Sequence, residues 1–275
     1  MADKIKKAIL YILLIALSVI CIVPFLLMIV NATRSGRDIM TSFTLIPGTY
    51  LKENWDKVFG YFNLFKGFWN SLVVAVPATL LNAYFSAITA YALAVYKFRG
   101  NKTLFYTIVI FMMIPGQLGL IGFYNLVSAL GLVNSYIPLI IPAIAAPGTV
   151  FFLRQYVLSV LPMSLLEAAR IDGASEIHIF HKIVMPIMGP GVATMAIGGF
   201  IGNWNSYLVP LIILTKNKKF TLPVMIASLS ASTDIANNQG ATYLAVAISI
   251  VPIIIVFCFC SKYMISSISA GSVKG

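Results

Sequence analysis

Charge is what this sequence has least of: 10% of its 275 residues are charged and only eight are Asp or Glu, against 60% hydrophobic. A soluble domain of this length needs a far larger polar skin, so the composition excludes one and leaves an integral membrane protein. Cysteine is nearly absent. Cys21, Cys258 and Cys260 all lie inside apolar runs with no C-x-x-C spacing, which excludes a disulfide framework or a cysteine zinc site and leaves small apolar packing residues. No G-x-x-x-x-G-K-[ST] phosphate loop occurs, and no polar stretch is long enough for a nucleotide domain, so a self-sufficient ATP-driven pump is excluded. Glu176, His178 and His181 lack the H-E-x-x-H spacing of a metalloprotease, and two histidines do not complete a zinc site. The net charge of +11 does not argue for nucleic acid either, because the basic residues are scattered in loops between apolar runs rather than clustered in a patch.

What is present is a series of apolar runs near 8–30, 68–95, 104–125, 136–157, 184–208 and 241–264. Each can cross a hydrocarbon core of about 30 Å as a helix, and no alternating ten-residue pattern of a barrel appears, so the sequence predicts an all-α polytopic protein: one transmembrane domain over 1–275 with six helices. Lys4, Lys6 and Lys7 precede the first run as in a signal peptide. That run is too long for a cleavable segment and no A-x-A site closes it, which makes it a retained span. The loop at 96–103 carries Lys97, Arg99 and Lys102 while the loop at 126–135 carries no Lys or Arg, so the former and both termini are expected in the cytoplasm. Between Asn31 and Gly67, the helical recurrence of Trp55, Val58, Phe59 and Phe62 predicts a short amphipathic helix at the outer face, either touching a partner or covering the helix ends.

Inside the predicted spans no Asp, Glu, Lys, His or Arg lies deep; Arg154 and Lys262 stand at the cytoplasmic ends, where they can snorkel. A proton- or sodium-coupled secondary carrier, the alternative to transport driven by a partner's ATP, usually needs such a buried group. Neutral polar residues do occur. Asn82, Ser86 and Thr89 share one helix face, and Asn203 and Asn205 flank Trp204, a set that suits a hydroxylated ligand on a transport path and equally suits hydrogen-bonded helix packing. Pro115-Gly116, Pro138, Pro142 and Pro147-Gly148 interrupt the third and fourth spans, as a pore lining or a simple kink would require.

The longest polar-bearing interruption on the cytoplasmic side is Leu161 to Pro186, with an intervening loop near 158–183. Pro162, with Ser164 and Glu167 at capping-box spacing, predicts a helix start; Asp172-Gly173 predicts its stop; Ser175 predicts the cap of a second short helix bearing Ile177, Phe180 and Val184. Neither arm alone spans a bilayer, so the pair is expected to lie along the surface and offer its polar edge to something soluble.

Glu167-Ala168-Ala169, Gly173 and Ile183-Val184-Met185-Pro186 are spaced as in EAA-x3-G-x9-I-x-L-P, with Met185 in the Leu position, and this resembles the EAA motif of ABC importer permeases. Leu51-Lys52-Glu53-Asn54-Trp55, Gly202-Asn203-Trp204-Asn205 and Ala270-Gly271-Ser272-Val273-Lys274-Gly275 extend the resemblance, specifically to the second permease subunit of maltose-type carbohydrate importers. The resemblance implies a bacterial plasma-membrane permease that translocates a carbohydrate, such as an oligosaccharide, and pairs with a second homologous permease, two copies of an ABC ATPase and an extracytoplasmic solute-binding protein. It implies no cofactor on this chain, with ATP and Mg on the partner ATPase. It further implies that Glu167, Ala168, Ala169, Asp172, Gly173 and Pro186 form a cytoplasmic coupling helix pair seated in the ATPase, with Glu167 facing a partner Arg. Gly271, Val273, Lys274 and Gly275 would form a tail reaching between the ATPase subunits.

Overall fold

The computed structural model describes the backbone of residues 2–231 and 235–272, and the side chains of 4–231 and 239–259. The chain is 81% helical and has no strand among the described residues. In order the α-helices are α1 Ala2–Asn31, α2 Gly36–Thr41, α3 Leu51–Tyr61, α4 Leu64–Val95, α5 Asn101–Met112, α6 Leu120–Ala129, α7 Ile137–Ile140, α8 Pro147–Val160, α9 Met163–Ile171, α10 Glu176–Ile179, α11 Met185–Trp204, α12 Leu208–Ile213, α13 Leu222–Ser230 and α14 Ile235–Ser272. Five helical stretches among the described residues are long and apolar enough to cross a membrane: Lys4–Asn31, Leu64–Val95, Ile137–Val160, Glu176–Trp204 and Gln239–Phe259. A bent pair, Asn101–Met112 with Gly116–Ala129, makes a sixth if it is one span.

That pair corrects the expectation of one run near 104–125. Pro115 sits in extended backbone at φ −61, ψ 121, and the two arms meet at 88°. The break itself has a local cause: proline donates no N–H to the ladder, and its ring drives the preceding residue out of helical geometry. The fourth span is also segmented, with a proline at the first or second position of α7, of the 3₁₀ turn Ile141–Ile144 and of α8, where a missing N–H costs nothing. The fifth span begins earlier than expected, at Glu176, and ends at Trp204 rather than 208; Pro210 cannot donate in a continued ladder, and the chain restarts as α12. The last helix does not release the chain after Lys262 but continues to Ser272.

The chain divides into two compact units, residues 1–68 with 222–252, and 69–221 with 253–275. In the first, the guanidinium of Arg34 is buried and donates to the Asn31 side chain at 3.1 Å, the Asp38 carbonyl at 2.8 Å and the Ser42 hydroxyl at 2.7 Å, which ties down the end of α2. Asn54 donates to the carbonyls of Ala32 and Arg34, both at 2.9 Å. Gly240 packs against this knot, where a Cβ would come within 2.3 Å of the Arg34 carbonyl oxygen. The predicted amphipathic helix is α3, but its buried stripe is Asn54 and Val58, while Trp55 is 45% exposed. In the second unit the core joins Ala87, Ala90 and Tyr91 of α4, Leu153 and Val157 of α8, Leu166 and Ala169 of α9, and Ile179, Phe180, Val184 and Met188. Small residues on α4 let neighbouring backbones approach closely, as membrane helix packing requires.

Candidate functional site

The Leu161–Pro186 segment folds as one short helix docked on the root of a long one. The helix α9 starts at Met163 behind Pro162, whose side chain makes no cap. Ser164 is therefore already helical and the expected Ser164–Glu167 capping box does not form. The other end follows the sequence closely. Gly173 takes φ +79, its N–H bonds the Arg170 carbonyl at 3.0 Å, and the Ala174 N–H reaches back to the Ala169 carbonyl at 3.0 Å. These crossed bonds are a Schellman stop, which satisfies the last carbonyls of the helix.

Ser175 then caps α10, accepting from the His178 N–H at 3.3 Å. The second arm is not a separate surface helix, which corrects the expected helix pair: α10 passes through a π-turn, Phe180–Val184, into α11 without a break. The apolar period that runs through Ile179, Phe180, Val184 and Met188 explains the continuity, because all four are buried in one core. At the π-turn the His181 Nδ1–H donates to the Ile177 carbonyl at 2.8 Å, which leaves Nε2 to accept from the Tyr84 hydroxyl at 3.1 Å.

Leu166 is fully buried and Ala169 9% exposed, so α9 is pinned by one face. Its other face is open: Glu167, Ala168, Asp172 and Gly173 are exposed, Ile171 is 86% exposed, and Ile177 at the start of the next helix is 74% exposed. Pro186 is exposed in the first turn of α11. An ionic tie holds α9 from the side. Arg170 Nε donates to Glu176 Oε1 at 2.8 Å, the Tyr96 hydroxyl donates to Glu176 Oε2, and the Arg170 guanidinium lies 5.7 Å from the centre of the Tyr96 ring. Burial first, and then its bond to the Glu176 carboxylate, push the Tyr96 hydroxyl well above its usual range, so it remains a donor. The bond to Glu176 likewise raises Arg170. Glu167 has neither an ion pair nor a hydrogen bond to any described residue. Sequence reasoning missed the Tyr96–Glu176–Arg170 tie; an acid and a base flanking the Asp172-Gly173 stop were its only signal.

The six expected path residues do not form one surface. Ser86 is fully buried with an unpartnered hydroxyl, Asn82 is half-buried, and Thr89 turns its hydroxyl onto the Phe85 carbonyl at 2.8 Å. Trp204 is 1% exposed and stacks on Phe200 at 5.7 Å, so it packs rather than lines a path. Asn205 is exposed just past the end of α11. Asn203 lines a cavity of about 250 Å³, together with Ser71, Ser206, Thr221 and Phe123. Its amide also donates to the Thr79 hydroxyl at 3.4 Å, and the buried Thr221 hydroxyl has no partner. Beside this cavity the 215–220 loop is held from several sides: Asn134, at φ 61, accepts from the Thr215 and Lys216 N–H groups at 2.7 and 2.9 Å, and Asn70 donates to the Phe220 carbonyl at 2.9 Å. Of the expected tail, Gly271 falls in the last turn of α14, and Val273, Lys274 and Gly275 lie outside the described residues.

Residues 83–268 match the family described as "Binding-protein-dependent transport system inner membrane component". An arabinooligosaccharides transport system permease protein, AraQ, of Halalkalibacterium halodurans is 40% identical over 93% of this chain and 92% of its own length. The diacetylchitobiose uptake system permease protein NgcG of Streptomyces coelicolor is 32% identical over 99% of this chain and 91% of its own. Among solved structures, a chain of a bacterial ABC transporter involved in the import of the acidic polysaccharide alginate shares the fold, with a TM-score of 0.81 at 22% identity, covering 96% of this chain and 98% of that one.

Proposed function

The chain belongs to the binding-protein-dependent transport system inner membrane component family, and from that membership we propose that it is one permease half of an ATP-driven importer of an oligosaccharide. The observation that carries this reading is the open face of α9, where an unpaired carboxylate, Glu167, stands one turn from the exposed Ile171 on a helix pinned from beneath. A carboxylate left without a partner on a rigid, partly apolar surface suits an arginine-bearing cleft in another protein. That protein is the ATPase, present in two copies and holding ATP and Mg. Ala168, Asp172 and Gly173 shape the docked surface, the buried Ala169 keeps the helix close to its base, and Pro186 fixes the first turn of α11.

A second, homologous permease completes the path, and a solute-binding protein delivers the ligand outside, with both termini of this chain in the cytoplasm of the cell that carries the inner membrane. The tail with Gly271, Val273, Lys274 and Gly275 contacts the ATPase pair, reaching between its two subunits. Two relatives named for arabinooligosaccharides and diacetylchitobiose support a carbohydrate ligand. The cavity at Asn203, with three hydroxyl side chains and one aromatic ring, has the chemistry for a sugar unit on this chain's side of the path. The remaining candidates, Asn82, Ser86, Thr89, Trp204 and Asn205, serve packing and helix ends.

The test is reconstitution of the complete transporter in vesicles, with labelled arabino- and chito-oligosaccharides as the panel. Uptake and ATP hydrolysis that both rise with one of these ligands, and that both fall in Glu167→Ala, are expected. Concentrative uptake by this chain alone, driven by an ion gradient without ATP, would establish the carrier alternative instead.

A further inference from the structure

We propose that the basic cavity where α4, α5 and α8 meet is a binding site for the phosphate headgroup of an anionic phospholipid. The cavity measures about 580 Å³ and is lined by Lys97, Lys102 and Arg154, with Leu93, Tyr96 and Gly100 among its other walls and no carboxylate in its lining. The three cations have no ion pair with any described residue. The acid that stands near Tyr96, Glu176, is already taken by Arg170 and Tyr96. Arg154 is also fixed in place: its guanidinium carbon lies 4.0 Å above the Phe105 ring, and its Nε donates to the Leu93 carbonyl at 3.3 Å. Asn101 braces the loop by donating to the Tyr96 carbonyl at 2.8 Å. Three like charges around one concavity repel one another, and an anion of two or more oxygens relieves that repulsion.

The surroundings favour a lipid over a diffusible phosphate. The cavity opens at the first turn of α5, which no side chain caps, and the following turns of that helix present Tyr106 and Ile110, on the face that Lys102 begins, outward at 62% and 60% exposure. A headgroup in the cavity therefore has an apolar face directly below it for its acyl chains, an arrangement from which a free ion gains nothing. The site lies at the end of the second unit that carries α9, so it belongs to the same leaflet as the docking face, and it does not depend on which sugar is carried.

The experiment is native mass spectrometry of the complete transporter in detergent, offered phosphatidylglycerol or phosphatidylcholine of the same chain lengths. Wild type should retain phosphatidylglycerol in preference, with retention falling as salt is raised. Lys97→Gln with Lys102→Gln should weaken that retention by about thirty-fold, and each single change by about five-fold, while the double Lys→Arg variant restores it. Phosphatidylcholine retention should not differ among them. Equal phosphatidylglycerol retention by wild type and the Gln variants overturns the proposal. So does displacement of the lipid by inorganic phosphate alone, which makes this a free-anion site, or loss of the ATPase from the Gln complex with lipid retained, which makes it a protein contact.

Discussion

Glu167 and Glu176 occupy one short segment and do opposite things. Glu176 is spent inside the fold on Arg170 and Tyr96, whereas Glu167 is left open. Glu167→Ala is therefore expected to leave thermal stability within about 0.5 kcal/mol of wild type, as for other exposed, unpaired side chains. The same change should weaken ATPase association by about 2–5 kcal/mol, the cost of stripping one partner from a buried interface charge pair. Parallel melting and co-purification measurements check both halves. Gly173 separates backbone from packing. A Cβ there meets nothing within 4 Å, so the only cost of a side chain is its left-handed φ of +79. Gly173→Asn should keep substrate-stimulated ATP hydrolysis, since Asn visits that region, while Gly173→Val should lose it at a local cost of about 1–3 kcal/mol. Equal activity of the two variants would mean that the turn's shape is irrelevant to docking. The stop at Asp172-Gly173 and the cap at Ser175 were legible because each depends on a few adjacent residues. The tie from Tyr96 to Glu176 was not, since nothing in a sequence says that these residues meet across 80 positions.

Elements were legible where a long apolar run settled them and illegible where a break or a continuation did. The runs beginning near 68 and 136 became helical stretches at Leu64–Val95 and Ile137–Val160. Pro115-Gly116 signalled a break, but the 88° angle between the arms depends on packing that no local rule encodes, including Val127 of α6 against Ile213 of α12. The root of α11 is illegible for a related reason. Ser175 is a sound cap, yet the helix it starts keeps an exposed polar edge through Lys182 while its other face is buried, so the composition of 176–183 resembles a surface helix. The terminal helix carries its own prediction. Removal of residues 270–275 takes away the last turn described in α14 and the tail beyond it. The transporter should still assemble through α9, with an altered rate or ligand dependence of ATP hydrolysis. Side-by-side assays of full and truncated complexes giving identical rates and uptake would show the tail to be dispensable.

On the scale of the molecule, the chain needs company on every side. No residue in the apolar window of helix α1 is buried, and most are exposed, a surface that only lipid or another membrane protein can cover. With no phosphate-binding loop, the purified chain alone should hydrolyse no ATP and move no sugar, and both should appear when the second permease and the ATPase are added. ATP hydrolysis by the isolated chain, after removal of traces of ATPase, would contradict this. The unbroken helix from Glu176 to Trp204 has a mechanical meaning. At 1.5 Å per residue it is a rod roughly 40 Å long, fixed at one end to the docking helix and ending beside Asn203 at the other. With α9 seated in the ATPase as proposed, a tilt of roughly 10° about that end would swing the far end through roughly 7 Å, so a small stroke at one face becomes a much larger displacement at the other.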